Sequence, residues 1–279
     1  MERYSVRPSD ERAAGMLAQA CGLGLSAAQI LLHRGVDEPA EAKTFLDATL
    51  RGLSSPEPMA DRELASDRIS RAIRAGERIV VFGDYDVDGT TSAVILSEVF
   101  SALGGEVRTL IADRFRGGYG LSDEALERCL AEGPALLVTC DCGSSDHERI
   151  ATAMSRGIAV VVVDHHLVPE ETLPALAFLN PHRTECGFQY KGLCSADLAF
   201  SLGAAVRADM GAKLDLRGWL DLVAIGTIAD LAPLTGDNRR LVRAGLKSLG
   251  AQSARPALAA LRQAAKIPQA SQLTARDVA

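Results

Sequence analysis

The chain has 279 residues, 47% of them hydrophobic and 24% charged, a globular balance that argues against a disordered protein and leaves room for one large domain or two modest ones. A net charge of −6 argues against a general nucleic-acid coat, which would be strongly basic, and a single tryptophan among 4% aromatics argues against a broad base-stacking platform. No apolar run approaches the roughly 20 residues that span a bilayer, and Met1-Glu2-Arg3-Tyr4 lacks the basic start and apolar stretch of a signal peptide, so a cytoplasmic protein is expected.

Residues 1 to about 57 carry short helical patterns: Ala13 to Ala20, a segment with Ser26 as its N-cap, and Ala40 to Leu46. Ser54-Ser55-Pro56-Glu57-Pro58 interrupts them. Asp61 to Ala75 predicts an amphipathic helix with Leu64, Ile69, Ala72 and Ile73 on one side. From there the pattern alternates. A strand over 79–82 precedes a helix from Thr90 to Leu103, and a strand over Val107–Ile111 precedes a helix opened by Ser122, with Asp123 and Glu124 in its first turn. A strand ending at Asp141, a helix over Glu148–Arg156 and a strand ending at Asp164 follow. This repetition predicts an α/β fold with a parallel, Rossmann-like sheet and flanking helices. Beyond Asn180-Pro181-His182 come a polar loop and helical patterns at Ser195–Met210, Leu216–Val223 and 239–249. The expected division is a helical extension over 1–57, a catalytic domain over 58–250, and a linker helix over 251–279.

The six cysteines show no CxxC spacing and read as reduced, mostly structural thiols. Four apolar runs stand out because each ends abruptly in acidic or histidine residues. Ile79–Phe82 leads to Asp84, Asp86 and Asp88; Ala135–Thr139 to Asp141; Ile158–Val163 to Asp164-His165-His166; and Leu222–Ile228 to Asp230. Read as buried parallel strands, these runs place their acids at carboxyl ends, where open α/β sheets bind ligands.

Carboxylates as close as Asp84, Asp86 and Asp88 repel one another, and a divalent cation removes that penalty. An EF-hand is excluded, because the twelfth position counted from Asp84 is Ile95 and not Glu. Thr90-Thr91-Ser92 offers hydroxyls and amides to a phosphate at a helix start. Asp164 can orient a ligating imidazole. Arg114-Phe115-Arg116-Gly117-Gly118-Tyr119-Gly120 is a Gly-rich loop with guanidinium forks and free amides suited to phosphate. Asn238, Arg239, Arg240, Arg243 and Lys247 give a basic helix face, which reads equally well as a solvated one.

In this order the clusters resemble those of the DHH phosphoesterase superfamily. Asp84 to Gly89 resembles its first motif, Arg114 to Leu121 its second, Asp141-Cys142-Gly143 its third, and Asp164-His165-His166 the motif that names it. Within the superfamily, Phe45-Leu46 to Pro56, Arg114-Phe115 with Gly118 to Leu121, Asn180-Pro181, and Gly226 to Asp230 with Pro233-Leu234 and Asn238-Arg239 are similar to the RecJ family of 5′-to-3′ single-stranded-DNA exonucleases. The resemblance implies two divalent ions, manganese first and magnesium second. Their ligands would be Asp86, Asp88, Asp141, His165 and Asp230, with Asp84 as a further one. It implies that His166 faces the scissile phosphate, that Arg114 and Tyr119 engage the strand near its 5′ end, and that Asn238 and Arg239 contact nucleic acid. His166, Asp141 and Arg114 are thus the expected catalytic groups.

Release of 5′-mononucleotides from single-stranded DNA in repair or recombination follows from the resemblance. So do a monomeric state, a single-strand-binding protein or helicase as partner, and a C-terminal DNA-clamping domain beyond residue 279. Two rival readings stay open: a phosphodiesterase for short oligonucleotides or cyclic dinucleotides, and a catalytically weak scaffold lacking its DNA clamp.

Overall fold

The computed structural model describes residues 5–250, 255–268 and 272–279. The chain forms two compact units, Met1–Thr49 and Leu50–Ala279. The first contains α1 (Glu11–Cys21), α2 (Leu25–His33) and α3 (Pro39–Leu46), which bury Leu17, Leu31, Val36 and small alanines against one another. Ser26 lies inside α2 and does not cap it. The cap position belongs to Gly24, so the expected helix start is corrected by two residues.

The second unit opens with α4 (Arg62–Ala75) and then alternates: β1 (Arg78–Gly83), α5 (Val87–Ala102), β2 (Glu106–Ile111), α6 (Asp123–Ala131), β3 (Leu136–Cys140), α7 (His147–Ser155), β4 (Ala159–Val163) and β5 (Ala177–Leu179). After these come α8 (Ser195–Asp209), α9 (Leu220–Ala229), α10 (Gly236–Gly250), α11 (Pro256–Ala264) and α12 (Ala275–Val278). Among the described residues no helix is long and apolar enough to cross a membrane.

The strands form a five-stranded parallel sheet in the order β2-β1-β3-β4-β5. The central strands carry apolar residues on both faces because helices cover both. Ile79, Val81, Leu136, Val138, Val161 and Val163 point into the core shared with α4, α5, α8 and α9. The alternate residues Val80, Phe82, Leu137, Val160 and Val162 point into a second core with α6 and α7. The period of two along each strand fixes this division.

Strand order reverses between β1 and β3, since the chain leaves β1 towards β2 and returns on the other side. The crevice at the carboxyl end of such a reversal is where doubly wound sheets bind ligands.

One expected strand is corrected. Leu222–Ile228 belongs to helix α9, which packs against α5, α8 and α10 and not within the sheet. A run apolar on every side has no periodicity to distinguish strand from helix. Burial among three helices on all sides gives α9 the same appearance as a central strand. The short edge strand β5 is an element that periodicity did not reveal.

Candidate metal centre

Residues just beyond four strands build the floor of the crevice. Asp84 follows β1, Asp141 follows β3, Asp164 follows β4 and Asn180 follows β5, and each is at most 1% exposed. Three of them extend the sheet ladder by one bond: the amides of Asp84, Asp141 and Asp164 donate to the carbonyls of Cys140, Val163 and Leu179. The backbone register thus places successive polar side chains side by side. Asp141 adopts a left-handed conformation, φ +62°, which Asp tolerates better than most residues and which turns the chain out of the sheet.

The first acidic cluster follows the end of β1. It straddles a loop-to-helix junction. Asp86 is the N-cap of α5, accepting from the Gly89 amide at 2.8 Å, and Asp88 sits in the first helical turn, where the helix dipole favours an anion. Gly89 is required here: a Cβ on it would lie 2.7 Å from both the backbone nitrogen and oxygen of Asp84. This close approach of α5 to the end of β1 gathers the three aspartates. The expectation that the Thr91 and Ser92 hydroxyls receive a phosphate is corrected. Thr91 and Ser92 are buried, and their hydroxyls donate to carbonyls of the first turn, including that of Asp88.

Asp88 depends on a helix that sequence reasoning did not connect to it. Its carboxylate accepts from the amides of Ser195 (2.8 Å) and Ala196 (2.9 Å), the first two residues of α8. The Ser195 hydroxyl donates to Asp141 Oδ1 at 3.1 Å. The N-terminus of α8 therefore holds two carboxylates at once, and its orphan amides have anionic partners. The available signal was Cys194-Ser195-Ala196-Asp197, a capping box in which Asp197 accepts from the Cys194 amide. Gly226 of α9 leaves room for this junction, since a Cβ there would meet Thr91 Oγ1 at 2.6 Å and Ala196 Cβ at 2.7 Å.

The two histidines diverge. His166 Nδ1 lies 2.7 Å from Asp164 Oδ1, an oxygen that also accepts from the amides of His165 and His166. Asp164 Oδ2 accepts from the Ser144 amide. Burial pushes Asp164 upwards, but these donors outweigh it and hold the carboxyl at about 2. His165 instead turns its Nε2 towards three carboxylates: 3.2 Å from Asp141, 3.8 Å from Asp88 and 3.8 Å from Asp230. Asp230, the C-cap of α9, completes this side of the crevice.

Three groups of residues can each bring ligand atoms within 4.8 Å of one another: Asp84, Asp86 and Asp141; Asp88, His165 and Asp230; and Asp141, His165 and His166. Every residue expected as a ligand falls into one of them. Asp141 belongs to two, so it stands between the Asp84–Asp86 side and the His165 side.

The arrangement fits a divalent cation on three observations. Asp84 Oδ2 and His165 Nε2 are buried and lack a well-formed hydrogen bond, the carboxylate nearest the imidazole being Asp141 at 3.2 Å. Burial pushes Asp84, Asp88, Asp141 and Asp230 all upwards from the usual carboxylate range, a cost that a bound cation would offset. Burial opposes charge on His165, but the surrounding carboxylates raise it to about 9. Oxygen donors plus one or two imidazoles suit manganese, magnesium, iron or zinc.

The loop over 114–120 folds onto the site. The Gly120 amide donates to Asp84 Oδ1 at 3.1 Å, so it is engaged with a carboxylate and not free for phosphate as expected. The Tyr119 hydroxyl donates to the Asp141 carbonyl at 3.2 Å and lies 3.1 Å from His166 Nε2. Arg114 is exposed, with its guanidinium 5.3 Å from the centre of the Tyr85 ring.

The two other residues expected at nucleic acid are on α10. Arg239 is half-buried. Asn238 is fully buried and its Nδ2 donates to the carbonyls of Gly192 and Pro233, so as folded it braces loops and presents nothing to a strand. Asn180 has a similar bracing role that its sequence did not reveal: its Nδ2 donates to the His166 carbonyl at 2.8 Å.

The single-stranded-DNA-specific exonuclease RecJ of Dickeya dadantii is 39% identical over 262 residues, which are 90% of this chain and 44% of that protein. The chain thus spans less than half the length of that curated relative. The structure of RecJ from Thermus thermophilus in complex with Mn2+ superposes with a TM-score of 0.79 at 31% identity, covering 99% of this chain and 38% of that one. The complex of the same protein with Mg2+ gives 0.68 at 29% identity, covering 99% and 35%. Residues 78–227, more than half of the chain, match the model of the DHH family, N-terminal domain, and the chain belongs to that family.

Proposed function

We propose that this chain is the catalytic part of a phosphodiester hydrolase that uses two divalent ions, manganese or magnesium, to remove mononucleotides from the 5′ end of single-stranded DNA. The observation that carries the proposal is the pair of donor sets, Asp84–Asp86–Asp141 and Asp88–His165–Asp230, that meet at Asp141 and His165. The relatives named for single-stranded DNA and solved with Mn2+ or Mg2+ support the same reading.

In this reading Asp84, Asp86 and Asp141 would hold one ion and Asp88, His165 and Asp230 the other. Bound there, the ions would supply Lewis acidity and an acidified water as nucleophile. The protein's own groups do the remaining work. The α8 amides and the Ser195 hydroxyl fix Asp88 and Asp141 before substrate arrives. Asp164 orients His166 and favours its protonated form, because their hydrogen bond raises the imidazole. His166, half-exposed beside the acids, can then donate to a phosphate oxygen or to the leaving 3′ oxygen. Arg114 lies on the exposed rim, where a guanidinium can pair with a terminal phosphate. The cell compartment is the cytoplasm, the task DNA repair or recombination, and the partner a single-strand-binding protein or helicase.

The test is a manganese-dependent digestion of 5′-phosphorylated single strands. Stepwise release of mononucleotides from the 5′ end supports the proposal. Turnover of dinucleotides alone would replace it with a small-substrate phosphodiesterase, and metal binding with no turnover would replace it with a scaffold.

A further inference from the structure

Leu231 is held in a conformation that the fold gives no reason to assign to leucine. Helix α9 ends in a Schellman motif: the Leu231 amide donates to the Ile228 carbonyl, and the Ala232 amide to the Thr227 carbonyl. Such a motif places one residue in the left-handed region, and glycine is the usual occupant. Here the occupant is Leu231, with φ +58°. A γ-branched side chain pays a steric penalty there that glycine avoids. Burial does not offset it, because Leu231 is 84% exposed. The residue is thus unfavourable twice, by backbone and by solvation. Strain of this kind at the edge of a site points to a use outside folding.

Its surroundings say what that use is. Leu231 directly follows Asp230. Val87 lies between Asp86 and Asp88, and Leu167 directly follows His166. All are exposed large apolar residues, as are Phe115 (93%) and Tyr119 on the loop that folds onto the acids. Among the described residues of the second unit, the other members of that class are Leu64 and Leu261. Exposed apolar residues are therefore concentrated beside the metal-binding and catalytic residues in the chain and on the loop that reaches them. A phosphodiester has nothing apolar to meet them, but the nucleobases on either side of it do. Apolar side chains, leucine included, commonly wedge against bases and disturb their stacking. Bases in a single strand offer their faces at little cost.

We infer that Leu231 contacts the nucleobase next to the phosphate held by the acids, and so fixes the strand's register on the site. The inference rests on the single-stranded substrate proposed above. It makes Leu231 a specificity residue that touches substrate without touching the metal-binding groups.

The experiment uses the full chain with manganese, comparing wild type with Leu231→Gly. Two 5′-phosphorylated single strands are digested, one ordinary and one with abasic residues at its first two positions. Wild type should lose about tenfold in kcat/KM when the bases are removed. Leu231→Gly should show that loss already on the ordinary strand and little more on the abasic one. Its melting temperature should be unchanged or higher, because glycine suits the conformation, and its manganese affinity in a calorimetric titration should equal that of wild type. Leu261→Ala, on α11, should match wild type throughout.

Equal losses on both strands would show Leu231 acting through Asp230, and full activity of Leu231→Gly on the ordinary strand would show no contact. Either result overturns the inference while leaving the proposed function standing. A wild-type chain that digests neither strand overturns the proposed function, and the role of Leu231 with it.

Discussion

The hydroxyl of Ser195 donates to Asp141 Oδ1 at 3.1 Å, across 54 residues of sequence. Ser195 also presents its amide to Asp88, so one residue orients two of the carboxylates of the site. Ser195→Ala removes the hydroxyl bond and keeps the amide. A buried Asp141 that loses its donor is free to rotate, and partners of this kind typically contribute 10-fold or more to metal affinity. The expected outcome is an affinity for Mn2+ lowered by about tenfold, read by calorimetric titration, with a melting temperature in chelator close to that of wild type. Ser195→Thr should recover most of the affinity. An unchanged titration for Ser195→Ala would mean that other groups orient Asp141.

The protonation of the acids predicts a pH dependence with a definite sign. Burial raises Asp88 and Asp141, and the carboxylates hold His165 up at about 9. A group raised on folding adds stability that is complete below its unfolded pKa and is lost as pH rises through its folded value. All three act in the same direction. The metal-free chain should therefore melt at progressively lower temperature as pH rises from about 5 to about 9. Asp164, held at about 2, acts in the opposite sense but only as pH falls towards that value, outside the window. A cation must displace the same protons, so manganese affinity, and the rise in melting temperature on adding manganese, should both grow with pH across the window. Melts in chelator and in manganese along a pH series check this. A flat series in chelator would contradict the crowded, uncompensated acids.

The sheet and most of the site were legible in the sequence because the strands are short apolar runs that end in acids. The ladder carries that one-dimensional pattern directly into space: Gly83 pairs with Cys140, and Asp84 and Asp141 emerge together. What escaped depends on packing between distant segments. The dependence of Asp88 on the Ser195 and Ala196 amides spans more than 100 residues. The helical state of Leu222–Ile228 follows from burial among other helices, to which hydrophobicity alone is blind. Asn238 belongs to a run of polar and basic residues that reads as a surface, yet its side chain is at 0% exposure because it ties two loops together. Leu231 looked like one more apolar residue, and only its backbone angle and exposure set it apart.

Gly89 gives a prediction on the fold of the site itself. In an ordinary helix, replacing glycine by alanine stabilises by up to about 1 kcal/mol. Here the new Cβ would sit 2.7–2.8 Å from backbone atoms of Asp84, which cannot move without breaking the bond from the Asp84 amide to Cys140. The clash should dominate. Gly89→Ala is expected to destabilise the chain by about 1–3 kcal/mol in urea unfolding and to weaken manganese binding, because Asp84 and Asp88 lie on either side of the contact. A variant as stable as wild type would show that α5 and the end of β1 are less tightly apposed.

Asp164→Asn separates the support of the histidines from ligation. Asp164 uses both oxygens as acceptors: Oδ1 faces the backbone amides of both histidines and His166 Nδ1, and Oδ2 faces the Ser144 amide. Asparagine has one oxygen, so whichever way it turns, its amide group meets a donor. Asp164 is 1% exposed, and its depressed pKa means that its charged form is favoured by folding. That contribution is present above the ordinary carboxylate pKa and lost as pH falls through about 2. Losing it should destabilise the chain at neutral pH by on the order of 2 kcal/mol. The same change removes the main cause of the raised pKa of His166. Its titration, followed by NMR of the ring protons in metal-free protein, should move down towards the ordinary imidazole value. If His166 is the group that donates a proton to phosphate oxygen, the alkaline limb of the activity profile should move down with it, which a loss of stability alone would not cause. A profile unmoved while the NMR titration shifts would assign that proton to another donor.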